Sequence, residues 1–407
     1  MRRVRVGGRV ALWSVFLAVH LLVAVLGWIY PSQPMGDVVL VYEPWSASAL
    51  GGGAVVGVTE SWVYPQLALL PMLTAKAMSL PLLSALGASG AYLVAWAMLV
   101  TALDAVAFAL LLGGSASRGR RTAAWFWCAA LLLLGPIAMY RIDAITVPLA
   151  VAGGLWLLTR PALAAAVLTA GAWIKIWPGV LIVAAIIAGR QRKRMLIAAA
   201  AVTAAIVVTL VLLGADSELL GFLTEQTGRG LQIEAVAATP FLWLMVAGGP
   251  AQIEYSLDIL TFQIAADGAD GVATVLTGLM MLTVLVVAVV GAVKSWRGAS
   301  LGRLFPPLAL TLVTALIVTN KVGSPQFQTW FIAPVALWFV FDRARAQTPA
   351  VLVLALCALT CLIYPLSYDA LLHAELFPVI LLSVRNVLLI VLLALGIRAL
   401  ARVPVTP

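Results

Sequence analysis

The 407-residue chain is 63% hydrophobic and only 10% charged, far below the roughly one-quarter charged residues of soluble domains, which excludes an ordinary soluble enzyme. Long apolar runs without alternation exclude a lipid-facing β-barrel and predict an all-α, polytopic integral membrane bundle of about 12 spans, forming one domain over residues 1–407. The formal charge of +9 suggests nucleic-acid binding only until the cations are located: they sit in short loops between apolar runs, so no nucleic acid is expected as a partner.

The chain opens with Arg2, Arg3, Arg5 and Arg9 and an apolar run from about Val10 to Tyr30. No small-residue cleavage site follows, so the run is read as an uncleaved first helix rather than a signal peptide. Residues 31–87 then form a large loop in which a helix lying along the membrane is expected, followed by an apolar stretch, Leu67 to Leu73, too short to span. Further spans are predicted near 88–112, 123–139, 144–159, 162–174, 176–189 and 195–213. The short runs of the middle group are expected to be broken or tilted. A second large loop, 214–270, precedes spans near 271–293, 304–319, 329–341, 348–366 and 376–397. Cys128, Cys357 and Cys361 all fall inside apolar runs, where they read as packing residues.

Charge assigns the sides. Nineteen of the 25 lysines and arginines fall in one alternating set of loops, which the positive-inside rule makes cytoplasmic, together with both termini. Fourteen of the 16 acids, and both large loops, fall on the other side. Any chemistry is therefore expected on the outer face of the plasma membrane. Six cations remain at or near outer span ends: Lys76, Arg141, Lys175, Arg229, Lys321 and Arg385. Pairing with an acid or snorkelling would explain any one of them, and a collected anion site would explain several.

Five stretches carry polar residues at that side: Gly36-Asp37 running on to Tyr42-Glu43, with Glu60 further along; Tyr140-Arg141-Ile142-Asp143; Trp173-Ile174-Lys175-Ile176-Trp177-Pro178; Arg229-Gly230-Leu231-Gln232-Ile233-Glu234; and Asn320-Lys321-Val322-Gly323-Ser324-Pro325-Gln326. Asp37 is either a helix cap or a functional acid. Asp143 is accounted for by an inter-span salt bridge, whereas Lys175, alone in an apolar sequence before a proline, reads as functional.

The last two stretches resemble the signature runs of glycosyltransferase family 87, polyprenyl-phosphate-sugar-dependent enzymes of the GT-C superfamily that include α-1,2-mannosyltransferases. The Arg141-x-Asp143 pair and Lys175-x-x-Pro178 are similar to weaker family features. The resemblance implies a GT-C-like fold and inverting transfer of a sugar, mannose first and arabinofuranose second, from a polyprenyl phosphate to a glycolipid or glycan hydroxyl. It makes Asp37 the base, with Glu60 in reserve. No acid adjoins Asp37, so no metal or other cofactor is assigned.

The inventory suits that chemistry. A hydroxyl nucleophile needs one carboxylate to take its proton. A phosphate leaves as a stable anion and needs cations rather than a general acid, unlike the leaving group in glycoside hydrolysis. Arg141, Lys175, Arg229 and Lys321 are the expected phosphate holders; Tyr42, Glu60, Asp143, Gln232, Glu234, Ser324 and Gln326 are the expected sugar and acceptor contacts. A multi-span transporter or flippase is the competing reading, resting on Asp104 within a span. A non-catalytic scaffold subunit is the third.

Overall fold

A computed structural model of the chain describes residues 6–114, 117–224, 228–256 and 261–405. Arg2, Arg3, Arg5, Glu225 and Asp258, all used in the charge assignment, lie outside these residues. The helices are α1 Val6–Ile29, α2 Glu43–Leu50, α3 Leu69–Ser79, α4 Leu83–Leu112, α5 Arg118–Leu134, α6 Asp143–Trp156, α7 Pro161–Ala172 and α8 Pro178–Ala188. They continue with α9 Arg192–Leu212, α10 Gly221–Thr224, α11 Thr239–Val246, α12 Ala269–Trp296, α13 Leu301–Val318, α14 Ile332–Cys361, α15 Tyr368–Leu372 and α16 Leu376–Ala401. Among the described residues, 8 helical stretches are long and apolar enough to cross a membrane. The chain is a multi-pass, mainly helical membrane protein.

Two of those stretches fold back on themselves. In α14, Asp342 leaves helical geometry (φ −149°, ψ 78°). Trp330, just before this helix, bonds to Asp143, and Tyr364, just after it, bonds to Arg141. A straight helix would put Trp330 and Tyr364 about 50 Å apart, so the chain doubles back at Asp342 as two antiparallel helices, where the sequence shows a polar break between two spans. Likewise the Tyr92 hydroxyl reaches Met72 O, which requires α3 to fold back on α4 through the turn ending at Gly87.

The middle group is short, as expected: α6, α7 and α8 have 14, 12 and 11 residues. At 1.5 Å per residue none reaches the ~30 Å of a hydrocarbon core. Each packs on the next, and α6 also packs on α4 and α14. α13 and the first half of α14 are buried almost throughout and form the centre, while α9 and α12 leave most of their apolar side chains exposed.

The second large loop adds one small sheet to the otherwise helical bundle. It holds an antiparallel hairpin, β1 Ala251–Ser256 with β2 Thr261–Ala266, paired from Ala251 opposite Ala266 to Ser256 opposite Thr261. Polar and apolar residues alternate along β1 and over Thr261–Ile264 of β2, the period of a half-buried sheet.

The two ends of the bundle differ. At one, basic loops meet: Arg192 donates to Ser295 Oγ, and Lys294 donates to the carbonyls of Ala401 and Val403. At the other, about 25 Å away along α5, Asp37, Arg141, Asp143 and Lys175 come together.

Between them lies the Asp104 of the transporter reading. His20 Nδ1 donates to Phe16 O at 2.8 Å, and Nε2 faces Asp104 Oδ2 at 3.1 Å. The surrounding space, lined by Val23, Val100, Leu131, Ala138 and Met139, is too small to admit water. Asp104 is thus accounted for as one half of a staple between α1 and α4. Removing one partner strands a buried polar group, whereas removing both does not. Asp104→Leu alone is expected to destabilise the purified protein by about 3 kcal/mol, and His20→Leu with Asp104→Leu to recover most of that loss. Thermal unfolding in detergent checks the cycle.

Candidate functional site

The site is built on the turn between α5 and α6. Gly135, at φ 63°, stops α5, and the turn that follows is pinned from several sides. Trp96 Nε1 donates to Met139 O at 2.9 Å, and the Tyr140 hydroxyl donates to Ala24 O at 3.1 Å. The Tyr140 ring lies so close to Gly27 that a Cβ there would come within 2.5 Å of it. The Ile142 amide donates to the Tyr42 hydroxyl at 3.1 Å.

This rigid turn presents Arg141 inward, with only 6% of its surface exposed. Nη1 donates to Pro34 O at 3.0 Å and to Tyr140 O at 3.2 Å, and Nη2 donates to the Tyr364 hydroxyl at 2.9 Å. Nη1 also faces Asp37 Oδ1 at 3.4 Å. Burial opposes this charge, but Asp37 and Tyr364 outweigh it and hold the guanidinium pKa above its ordinary value. Asp37 makes no side-chain cap to the helical turn that follows it. Its carboxylate is instead directed by Arg141 and remains 35% exposed, so it is both fixed and reachable.

Two residues on, Asp143 is completely buried. Its Oδ1 accepts from Trp330 Nε1 at 2.6 Å and its Oδ2 lies 4.0 Å from Lys175 Nζ. Lys175 owes its position to the break between α7 and α8: Pro178 has no amide hydrogen to continue the helix, and the Trp173 carbonyl is taken by Leu67 N at 3.0 Å. Lys175 Nζ sits 4.3 Å over the Tyr64 ring. Burial pulls its pKa down, assisted by Arg229 and Arg141 and opposed by Asp143 and Asp37.

The two long sequence runs turn out to be each other's partners. Leu231–Ile233 lies along β2, with Ile264 N donating to Leu231 O and Ile233 N to Phe262 O. Gln232 N donates to Lys321 O at 3.0 Å, and Gln232 Oε1 accepts from Gly323 N and Ser324 Oγ at 3.2 and 3.3 Å. Gln232 Nε2 donates to Thr261 Oγ1 at 2.7 Å. Gly323 is required by this contact, because a Cβ there would lie 2.2 Å from the backbone of Glu234 and Ala235. The packing brings Arg229 within electrostatic reach of Lys175, Lys321 and Tyr64. Burial, then Arg229, lowers the Lys321 pKa.

Of the residues read from sequence, Asp37, Tyr42, Arg141, Asp143, Lys175, Arg229, Gln232, Glu234, Lys321 and Ser324 are joined by these contacts and fields. Tyr42, Asp143, Gln232 and Ser324 are spent on internal contacts, and so is most of Arg141: they position the site. Gln326 is half-buried beside it, its carbonyl accepting from Thr329 Oγ1. Glu60 stands apart on an exposed tight turn, its carbonyl accepting from Gly57 N. Lys76 pairs with Glu43 and needs no further role. Among the described residues no group of three or more His, Cys, Asp or Glu converges as a metal site. Sequence reasoning did not assign Tyr64, Trp330, Tyr364 or Arg385 to the site. A tyrosine before a proline at the end of an apolar run, and an arginine within a span, were the available signals for the last two.

No family model, curated protein or solved structure matches the chain.

Glu234 generates a pH prediction. Burial pushes its carboxyl from an ordinary 4.5 up to about 7, against the pull of Arg385 and Arg141. The folded pKa is the higher one, so the folded state binds the proton more tightly. That stabilisation is complete below about 4.5 and lost as pH rises through about 7. Its full size is on the order of 3 kcal/mol. Unfolding measured from pH 4.5 to 8 should show this decline in the wild type and a flatter profile in Glu234→Gln.

Proposed function

We propose that the chain is an inverting glycosyltransferase that moves a sugar from a polyprenyl phosphate to a hydroxyl of a glycolipid or glycan, at the acidic end of the bundle and on the outer face of the plasma membrane. The observation that carries this reading is one reachable carboxylate, Asp37, fixed at 3.4 Å by buried Arg141, beside a group of cations drawn from three separate segments. Lys175, Arg229 and Lys321 come from three separate segments, and Arg229 lies within electrostatic reach of both lysines, a grouping that suits an anionic ligand. The resemblance of the Arg229–Glu234 and Asn320–Gln326 runs to family 87 points to the same chemistry, and these are the two runs that pack together.

In this reading the acceptor hydroxyl gives its proton to Asp37 as its oxygen bonds to the anomeric carbon. The bond from that carbon to the phosphate oxygen breaks on the opposite side. The electron pair leaves with the polyprenyl phosphate, whose charge Lys175, Arg229 and Lys321 neutralise. Arg141 keeps the carboxylate aimed. A lipid-tethered phosphate meets such a site at the membrane interface without entering water. Mannose is the first sugar to test and arabinofuranose the second, and both termini are assigned to the cytoplasm.

Purified protein in lipid nanodiscs, given polyprenyl-phosphate mannose or arabinofuranose and a lipid-linked glycan acceptor, is expected to transfer the sugar. Asp37→Asn should lower the rate about 10²- to 10⁴-fold in protein that is still folded at the assay temperature, although loss of the Arg141 counter-charge lowers its melting temperature. Full activity in Asp37→Asn would remove the base. Solute uptake that depends on Asp104, with no transfer from either donor, would establish the transporter instead.

A further inference from the structure

Arg385 lies in the middle of the apolar helix α16 and is only 1% exposed. Its Nε and Nη2 donate to Asn386 Oδ1 at 3.1 and 2.8 Å, and Nη2 also donates to the Glu234 carbonyl. Asn386 in turn donates to Thr239 Oγ1 at 2.8 Å and to Ala235 O at 3.5 Å. Together with Gly323 pressed against the other side, α16 clamps the Glu234–Ala235 backbone in place. None of these bonds uses the Glu234 carboxyl.

What the clamp leaves over is specific. Arg385 Nη1 and Glu234 Oε1 are both buried and both lack a hydrogen-bond partner. Each side chain feels the other's charge, yet they do not close to an ion-pair contact. Buried charges at such a distance normally collapse onto each other or hold something between them. The pair offers one donor and one acceptor, which is the complement of a hydroxyl group: the hydroxyl donates to the carboxylate and accepts from the guanidinium. Position favours a ligand's hydroxyl over an isolated water. Glu234 is within electrostatic reach of Arg141, the residue that holds Asp37, and of Tyr364 and Tyr368, whose rings meet edge to face at 4.8 Å. Aromatic faces next to a donor–acceptor pair suit the mixed polar and apolar surface of a sugar ring.

We propose that Glu234 and Arg385 form a hydroxyl-binding subsite that takes the sugar of the polyprenyl-linked donor, with the carboxyl as the recognising group and Arg385 as its positioning residue. This rests on the glycosyl-transfer reading, and the test separates the two. Binding of bare polyprenyl phosphate, polyprenyl-phosphate mannose and polyprenyl-phosphate arabinofuranose to nanodisc-held protein is measured by tryptophan fluorescence. The wild type should bind at least one glycosylated lipid about tenfold or more tightly than the bare phosphate, the worth of hydrogen bonds to charged groups. Glu234→Ala should erase that preference while leaving affinity for the bare phosphate unchanged, and Glu234→Gln should keep part of it. Glu234 variants are the informative ones because the clamp uses that residue's backbone; Arg385→Gln serves as a second variant if its melting temperature is retained. A preference that survives Glu234→Ala, or a wild type that binds bare and glycosylated lipids equally, overturns the subsite but not the phosphate site, and leaves the pair bridged by water. Failure to bind any of the three overturns the transferase reading, and the subsite with it.

Discussion

Arg141 is a full charge held at 6% exposure, and the architecture round it follows from the need to satisfy it. Burying a guanidinium is costly unless its donors are paired and a counter-charge stands by. The pairing draws in Pro34 and Asp37 from the first large loop and Tyr364 from the end of α14. The same turn carries Asp143, two residues along, which recruits Lys175 from the α7–α8 break and Trp330 from the start of the α14 hairpin. This one turn thereby fixes four distant segments at one end of the membrane-spanning bundle. The function proposed for Asp37 is a by-product of this arrangement: it is the one partner of Arg141 left partly open to an incoming molecule.

The division of labour among charges has a physical logic. Asp143, fully enclosed, holds a cation in place, whereas Asp37, a third exposed, is the acid proposed for proton transfer. Lys175 and Lys321 both have pKa values lowered by burial and by neighbouring Arg229, and the phosphate of the proposed donor would act in the opposite direction.

Much of this was legible in the sequence. Helix positions followed from apolar runs, and the break between 329–341 and 348–366 coincides with the reversal at Asp342. The shortness of 162–174 signalled the broken middle helices that place Lys175. Charge asymmetry singled out Lys76, Arg141, Lys175, Arg229, Lys321 and Arg385 as cations needing a reason, and the structure sets an acid from another segment beside Lys76, Arg141 and Lys175. What was not legible depends on which loop meets which. The β-hairpin hides in a loop whose strands are only six residues long, with alternation broken at the end of β2. Gln232 and Ser324 read as ligand contacts because they flank charged motif residues, yet they bond to each other, a pairing across 92 positions that no local pattern encodes. Tyr364 and the Glu234–Arg385 pair were hidden for the same reason.

The central claim is that a single carboxylate, Asp37, takes the acceptor's proton while the cations receive the leaving phosphate in one displacement. The anomeric configuration of the transferred sugar tests this most directly, because direct displacement inverts it and a covalent glycosyl-enzyme route retains it. Carbon-13 NMR of the product formed from a polyprenyl-phosphate sugar of known configuration should show inversion at the anomeric carbon. A product of retained configuration would contradict the account.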